Sequence, residues 1–72
     1  MKKIKKIKIS VNGKKAFLKD KETLLILIQD MNIPLNKVAI ELNKEIVNKK
    51  KLNNIKLSNN DKVEIVHFIG GG

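Results

Sequence analysis

The C-terminus is the part of this chain whose residue types could do chemistry. The sequence ends Phe68-Ile69-Gly70-Gly71-Gly72, an apolar run followed by three glycines and a carboxylate. Because glycine has no Cβ and is costly to order, we expect these three residues to form a thin, flexible tail. When extended, they reach at most ~10 Å beyond the fold. The ending therefore predicts a tail that enters a narrow active site of another protein and presents the Gly72 carboxylate there.

The side chains elsewhere supply little chemistry. The chain has no cysteine, which excludes disulfides, thiolate metal sites and a thiol nucleophile. His67 is the one histidine, and acidic residues at a spacing useful for binding a metal with it are missing. We therefore expect no metal, no cofactor bound by the protein itself and no enzyme activity of its own. Any reactive group that it handles must be attached to it.

The formal net charge of +9 raises the question of nucleic-acid binding. All sixteen basic residues are lysine, whereas arginine is preferred for reading bases and clamping phosphates. Phe17 and Phe68 are the only aromatic residues, too few for a base-stacking platform. We expect no nucleic-acid partner. The lysine runs at 2–3, 5–6 and 49–51 are expected to be mainly solvated surface, with an acidic protein partner as the next alternative.

Length and hydropathy predict one soluble domain spanning residues 1–72, with a basic lead at 1–6 and the tail at 70–72. No apolar run approaches the ~20 residues that cross a bilayer. Lys5, Lys6 and Lys8 interrupt the stretch where a signal peptide would be apolar. We expect a cytoplasmic protein without a membrane partner, monomeric when free.

The first half of the chain predicts a hairpin followed by a helix. Residues 7–11 alternate apolar and polar, Asn12-Gly13 is a strong hairpin signal, and residues 14–18 return as a second strand. Asp20, Glu22 and Thr23 favour a helix running to about Met31, although a strand is the competing interpretation for residues 24–28. The expected buried stripe of the helix has helical spacing: Leu24, Leu27, Ile28 and Met31.

The second half predicts further strands. Pro34 ends the helix, and residues 38–42 alternate as a third strand. Residues 43–54 indicate a turn, a short strand and irregular structure, and residues 55–57 a brief edge segment. Three isolated apolar residues are expected to anchor that region: Ile46, Val47 and Leu52.

A turn at residues 58–61 leads into the final strand. Asn60 is the residue there most able to adopt a left-handed conformation. The final strand, residues 63–69, is apolar on both faces after Glu64, which is typical of a central strand. The fold class expected is α+β of the β-grasp, ubiquitin-like kind. A mixed sheet of four to five strands would pack on one helix, with the last strand beside the first and parallel to it.

The two faces of the final strand predict a docking surface. Val63 and Ile65 share one face, which we expect to cover the helix. Val66 and Phe68 share the other, where little of the chain remains to cover them. An adjacent apolar pair beside a reactive tail suggests partner docking. The alternative is that loops or the tail cover the pair.

Residues 60–72 closely resemble the C-terminal end of the ThiS family, the sulfur carrier proteins of thiamine thiazole biosynthesis. The Asn12-Gly13 hairpin, Thr23 at the helix start and the strand at 38–43 fit as well, so that the resemblance extends from about residue 7 to Gly72. Two features depart from the family pattern. Asn60 stands where glycine is common, and the strong basicity is unusual.

The resemblance implies a defined chemistry for the tail. A ThiF-like, E1-type enzyme would use ATP to adenylate the Gly72 carboxylate, and a persulfide donor would convert it to a thiocarboxylate. That group would supply sulfur to a ThiG-like thiazole synthase. Gly70 and Gly71 would thread the tail into both enzymes. The residues leave open a sibling carrier, the small subunit of molybdopterin synthase, and a ubiquitin-like protein modifier.

Overall fold

A mixed five-stranded sheet and one helix make up residues 5–68, the part of the chain that the computed structural model describes. The strands lie in the order β2-β1-β5-β3-β4. Their bounds are β1 Lys6–Val11, β2 Lys14–Lys19, β3 Val38–Leu42, β4 Glu45–Ile46 and β5 Lys62–His67. The helix α1 is Leu24–Asp30, and two 3-10 helices span Leu35–Lys37 and Lys49–Asn54. The β-grasp class predicted from the sequence is confirmed.

The first hairpin turns at the predicted dipeptide. Asn12 and Gly13 have φ angles of 49° and 83°, so both central residues of the turn are left-handed. Positive φ at both central residues defines a type I′ turn, whose twist matches that of the flanking strands. Val11 pairs with Lys14 across the turn, and the antiparallel register follows to the far ends of both strands.

The Asn12 side chain also joins the hairpin to the last strand. Its Oδ1 accepts a hydrogen bond from the Ile65 N–H at 2.7 Å, and its Nδ2 donates to the Ile65 carbonyl at 3.2 Å. The Asn12 backbone N–H donates to the Val63 carbonyl at 2.9 Å. The amide therefore continues the parallel β1–β5 ladder beyond the point where β1 turns away.

The helix begins and ends with local capping contacts. Thr23 Oγ1 accepts a hydrogen bond from the Ile26 N–H at 3.3 Å, as expected for an N-cap. At the other end Asn32 is left-handed, with φ of 56°, and the N–H groups of Asn32 and Ile33 bond back to carbonyls of the last turn. This is a Schellman motif, which satisfies carbonyls that the helix leaves unpaired. The predicted helix is confirmed, and the competing strand is excluded.

The core lies between α1 and one face of the sheet. The second 3-10 helix and the segment after it close its open side. Twelve buried apolar side chains form it: Ile7, Ile9, Val11, Leu24, Leu27, Ile28, Val38, Ile40, Leu52, Leu57, Val63 and Ile65.

Two predicted core residues are not buried. Met31 is 43% exposed, because the helix ends at Asp30 and the left-handed Asn32 directs the chain away before a second full turn. Ile46 is 78% exposed, because it pairs with Glu41 on the face of the sheet opposite the helix. The prediction was therefore wrong for both, and of the three anchors Leu52 is the one that is fully buried.

The region between β3 and β5 is more regular than predicted. The expected turn and short strand are present, but the part read as irregular contains the 3-10 helix Lys49–Asn54. Residues 55–57 do not form an edge strand of the sheet. They pair instead with the segment that enters α1, through an isolated bridge between Thr23 and Lys56. Leu57 is buried there, with its N–H bonded to the Glu22 carbonyl at 2.8 Å.

The last strand is central, as predicted, and its β1 neighbour is parallel. Asn60 is left-handed at φ of 72°, which confirms its role in the preceding turn. β5 ends at His67, and Ile69 lies outside the described residues. The argument for its central position was wrong in one respect, because Val66 is exposed. Hydrogen bonding along both edges makes β5 central, whereas the single helix covers only one of its faces.

We expect Asn12→Ala to lower the free energy of unfolding by about 2–4 kcal/mol, from two lost hydrogen bonds and a left-handed alanine. Asn12→Gly keeps the backbone conformation and loses only the side-chain bonds, so its cost should be roughly half. Urea unfolding of the three proteins measures both terms. An Asn12→Gly variant as stable as the native protein would show that the amide bridge to Ile65 contributes nothing.

Candidate functional site

The C-terminal end of β5 lies beyond the end of β1. The last two residues of β1 pair with the first two of β5, Ser10 with Lys62 and Val11 with Val63. Beyond the hairpin turn, the Asn12 amide is the contact on that side, and β3 alone continues along the other, as far as the pairing of Val38 with His67. The C-terminal part of β5 therefore extends past the end of β1.

His67 and Phe68, which we call the tail root, are nevertheless held in place. The Phe68 N–H donates to the Lys37 carbonyl at 2.9 Å. The Lys49 Nζ lies 5.4 Å from the centroid of the Phe68 ring, within the range of a cation–π contact, and also donates to the Leu35 carbonyl. These contacts fix the position of Phe68, the last of the described residues.

The structure places Val66 and Phe68 on the surface, as the sequence predicts. They are 54% and 50% exposed, whereas Val63 and Ile65 are buried against the helix side. Ala39 of β3 is the direct cross-strand partner of Val66. We call Ala39, Val66 and Phe68 the apolar patch. Lys49 lies over the Phe68 ring, yet about half of each residue of the pair is exposed, so the loops of the described part do not cover it. The other part of that alternative, cover by the tail, lies outside the described residues.

The predicted tail residues Gly70, Gly71 and Gly72 lie outside the described residues. Their roles in threading and in carrying the reactive carboxylate stay predictions. So does the docking role of Val66 and Phe68, although the structure puts that pair next to the tail root.

Neither a metal site nor a membrane span is found in the part that is described. Within residues 5–68, no three side chains of histidine, aspartate or glutamate are grouped to hold a metal ion. No helix in this same part combines the length and the apolar character that crossing a bilayer requires.

A model of the ThiS family matches residues 3–72. The chain belongs to the ThiS family. The sulfur carrier protein ThiS of Bacillus subtilis is 37% identical over 65 residues, which span 89% of this chain and 98% of that protein. A crystal structure of the thiamine biosynthesis protein ThiS from Geobacter metallireducens superposes with a TM-score of 0.80 at 25% identity, covering 92% of this chain and all of that one. The family resemblance read from residues 60–72 is confirmed.

The chain also resembles a segment of a larger protein. The thiazole synthase of Paramagnetospirillum magneticum is 36% identical over 66 residues, which cover 92% of this chain and 20% of the synthase. A thiazole synthase of Magnetococcus marinus matches with the same identity and coverage. In these two proteins, a ThiS-like segment accompanies a much longer chain that carries the name of the synthase.

Some contacts of the site have no signal in the sequence. The Asn12-Gly13 pair predicts a turn, but nothing local indicates that the Asn12 amide bonds to Ile65, because the two are distant in sequence. Lys49 belongs to a lysine run read as solvated, and its contact with Phe68 depends on the path of the chain after β4. Ala39 could have been found, since alternation along β3 places it opposite the buried Val38 and Ile40.

We expect Phe68→Ala to weaken binding to the ThiF-like enzyme predicted as partner by more than about 1 kcal/mol, as truncation of an interface anchor does. Its unfolding free energy should fall by less than the ~3–5 kcal/mol of a core phenylalanine, since half of the ring is already in water. Calorimetric titration and urea unfolding measure the two effects. Met31→Ala is the matched control, because Met31 is similarly exposed but lies at the end of the helix.

Two outcomes would contradict this assignment. Equal binding losses in Phe68→Ala and Met31→Ala would show a general effect of removing exposed apolar surface. A Phe68→Ala variant that loses core-sized stability would make Phe68 a structural residue and not a docking residue.

Proposed function

We propose that this protein carries sulfur as a thiocarboxylate on Gly72 and donates it to thiazole formation in thiamine biosynthesis. The observation that carries the proposal is the extent of the family match, which runs from residue 3 to residue 72 and so includes the terminal glycines. The names of the Bacillus subtilis and Geobacter metallireducens relatives agree with it.

The chemistry begins with activation of the carboxylate. A carboxylate is a poor electrophile because its charge is delocalised over two oxygens. We propose that a ThiF-like, E1-type partner binds ATP and joins AMP to the Gly72 carboxylate with release of pyrophosphate. The carrier binds no nucleotide itself. The mixed anhydride has AMP as a good leaving group, which makes the acyl carbon open to attack.

The sulfur then enters from a persulfide. Its terminal sulfur attacks the acyl carbon, a C–S bond forms and the C–O bond to AMP breaks. A thiol supplies the two electrons that cleave the remaining S–S bond, which leaves the thiocarboxylate on the carrier. That group is a soft nucleophile. In this scheme the protein is a co-substrate and not an enzyme, which fits its lack of a thiol of its own.

The acceptor we propose is a ThiG-like thiazole synthase. The two thiazole synthases that contain a segment similar to this chain support that pairing, because the carrier-like part and the synthase occur in one polypeptide there. The same family match favours this reading over a molybdopterin carrier or a protein modifier. We place the reaction in the cytoplasm, where the ATP for adenylation is available.

The fixed tail root and the glycines that follow it in sequence suit binding to two successive enzymes. The tail root is fixed by the Lys37 carbonyl and by Lys49, and the glycines beyond it have no side chains to obstruct a narrow channel. We propose that the apolar patch docks on the partner while Gly70 and Gly71 lead the carboxylate inward.

The test is mass spectrometry of the carrier after incubation with the ThiF-like enzyme, ATP and a persulfide donor. We expect a mass increase equal to the exchange of one oxygen for sulfur, located on Gly72. Deleting Gly72 or changing Gly71→Val should abolish adenylation, and Gly71→Ala should reduce it less. The free energy of unfolding should be nearly unchanged, since Ile65 is the last buried core residue in the described part of the chain. A deletion variant that is still adenylated would refute the role of Gly72.

The acceptor needs a separate experiment. The thiocarboxylate form should support thiazole formation by a ThiG-like synthase. It should not replace the small subunit in a molybdopterin synthase reaction. The reverse pattern would keep the tail chemistry and overturn the assigned pathway.

A further inference from the structure

The outer face of β1 and β2 carries a concentration of lysines. This face lies opposite the helix, and the strand register brings its side chains together. Lys6 is directly opposite Lys19, and Lys8 is opposite Phe17. Ser10 has Lys15 on one side and Lys62 on the other. We call these five exposed residues the lysine face: Lys6, Lys8, Lys15, Lys19 and Lys62.

A groove runs through the lysine face. Ser10 and three lysines, Lys8, Lys15 and Lys62, line this groove. Its open volume is about 430 Å³. Asp61 also lines the groove, but its carboxylate is already engaged. It accepts hydrogen bonds from the Ser58 N–H at 2.8 Å and from the Asn43 side chain at 3.1 Å. Three lysines against this one carboxylate leave the groove with a net positive charge.

The outer face as a whole is electrically asymmetric. Glu41 and Glu64 lie opposite each other on β3 and β5, beside the apolar patch. At its outward positions, the β1–β2 half carries lysines and no acidic residue. Like charges placed directly opposite each other, as Lys6 and Lys19 are, destabilise a sheet. An acidic surface laid over this half would relieve that repulsion, and the glutamates would oppose docking in the reversed orientation.

We propose that the lysine face binds an acidic surface of the enzyme that adenylates the tail, an inference that rests on the function proposed above. The lysine face and the tail root lie at opposite ends of β5. Phe68 lies six positions after Lys62, which is ~20 Å along a strand. A partner burying ~800 Å² of this protein covers a patch wide enough to span that distance. An enzyme that grips the tail root therefore also reaches the part of the lysine face nearest to it, where Lys62 and Lys15 flank Ser10.

The chemistry of lysine defines what this surface does. Lysine is a compact, strongly hydrated point charge, whereas arginine supplies the planar fork that clamps phosphates in a fixed geometry. Hydrated charges around a partner surface act over distance and raise the association rate more than the final affinity. The lysine face steers the carrier into one orientation, and the apolar patch completes the contact.

The experiment compares two charge reversals of equal size. Lys8→Glu with Lys15→Glu reverses the lysine face, and Lys50→Glu with Lys56→Glu is the control, since both control lysines are exposed and outside the sheet. Association rates with the ThiF-like enzyme of the same organism are measured by stopped flow over a range of salt concentrations. At low salt, we expect the first variant to associate at least ~10-fold more slowly and the control to change by less than ~2-fold. Adenylation at saturating carrier should be unchanged in the control variant.

Each other outcome overturns the proposal. Equal slowing in the two variants would mean that net charge matters and position does not. No slowing in either would mean that the face does not touch the enzyme. Tighter binding of a single-stranded RNA oligonucleotide than of the enzyme at physiological salt, lost in Lys8→Glu with Lys15→Glu, would assign the face to nucleic acid. If the native protein is not adenylated at all, the proposed function fails together with this proposal. If it is adenylated but the two variants associate alike, only the proposal about the lysine face fails.

Discussion

The parallel pairing of the first and last strands is the constraint on which the rest of this structure depends. Two residue pairs and the Asn12 amide hold β5 against β1, and β3 occupies its other edge. This arrangement makes the last strand the centre of the sheet. It also fixes the path of β5, so the position of the tail root depends on Asn12, more than fifty residues earlier in the sequence, as well as on Lys37 and Lys49.

One short helix covers one face of the sheet and leaves the other open. The covered face contains the core residues of three strands, β1, β3 and β5, and the opposite face of the described sheet carries surface residues. Its β3–β5 half is apolar and acidic, and its β1–β2 half is basic. Such a division suits the function proposed above, in which two enzymes recognise the carrier, because apolar contact and electrostatic orientation can be supplied by separate parts of the same surface.

Local chemistry made much of this predictable from sequence. Asn12-Gly13, Thr23 and Asn60 each specify a turn or cap through their own conformational preferences, and all three act as expected. Alternation along β5 correctly separated Val63 and Ile65 from Val66 and Phe68. The wrong predictions concern contacts with segments distant in sequence, which the local pattern does not indicate. Met31 and Ile46 are exposed because of where neighbouring segments turn, and residues 55–57 pair with the segment at Thr23 instead of joining the sheet. The enzymes that bind the tail were inferred from the family resemblance, because glycine residues alone do not indicate which enzyme binds them.

The central position of β5 also has a consequence for how the protein is made. Pairing between β1 and β5 joins segments far apart in sequence, and such long-range contacts form late in folding. A nascent chain that stops before β5 leaves the edges of β1 and β3 unpaired, a state prone to aggregation and to removal. Because β5 occupies the centre of the sheet, a chain that lacks residues 62–67 cannot complete the fold. A stable sheet therefore requires that synthesis has continued at least to His67.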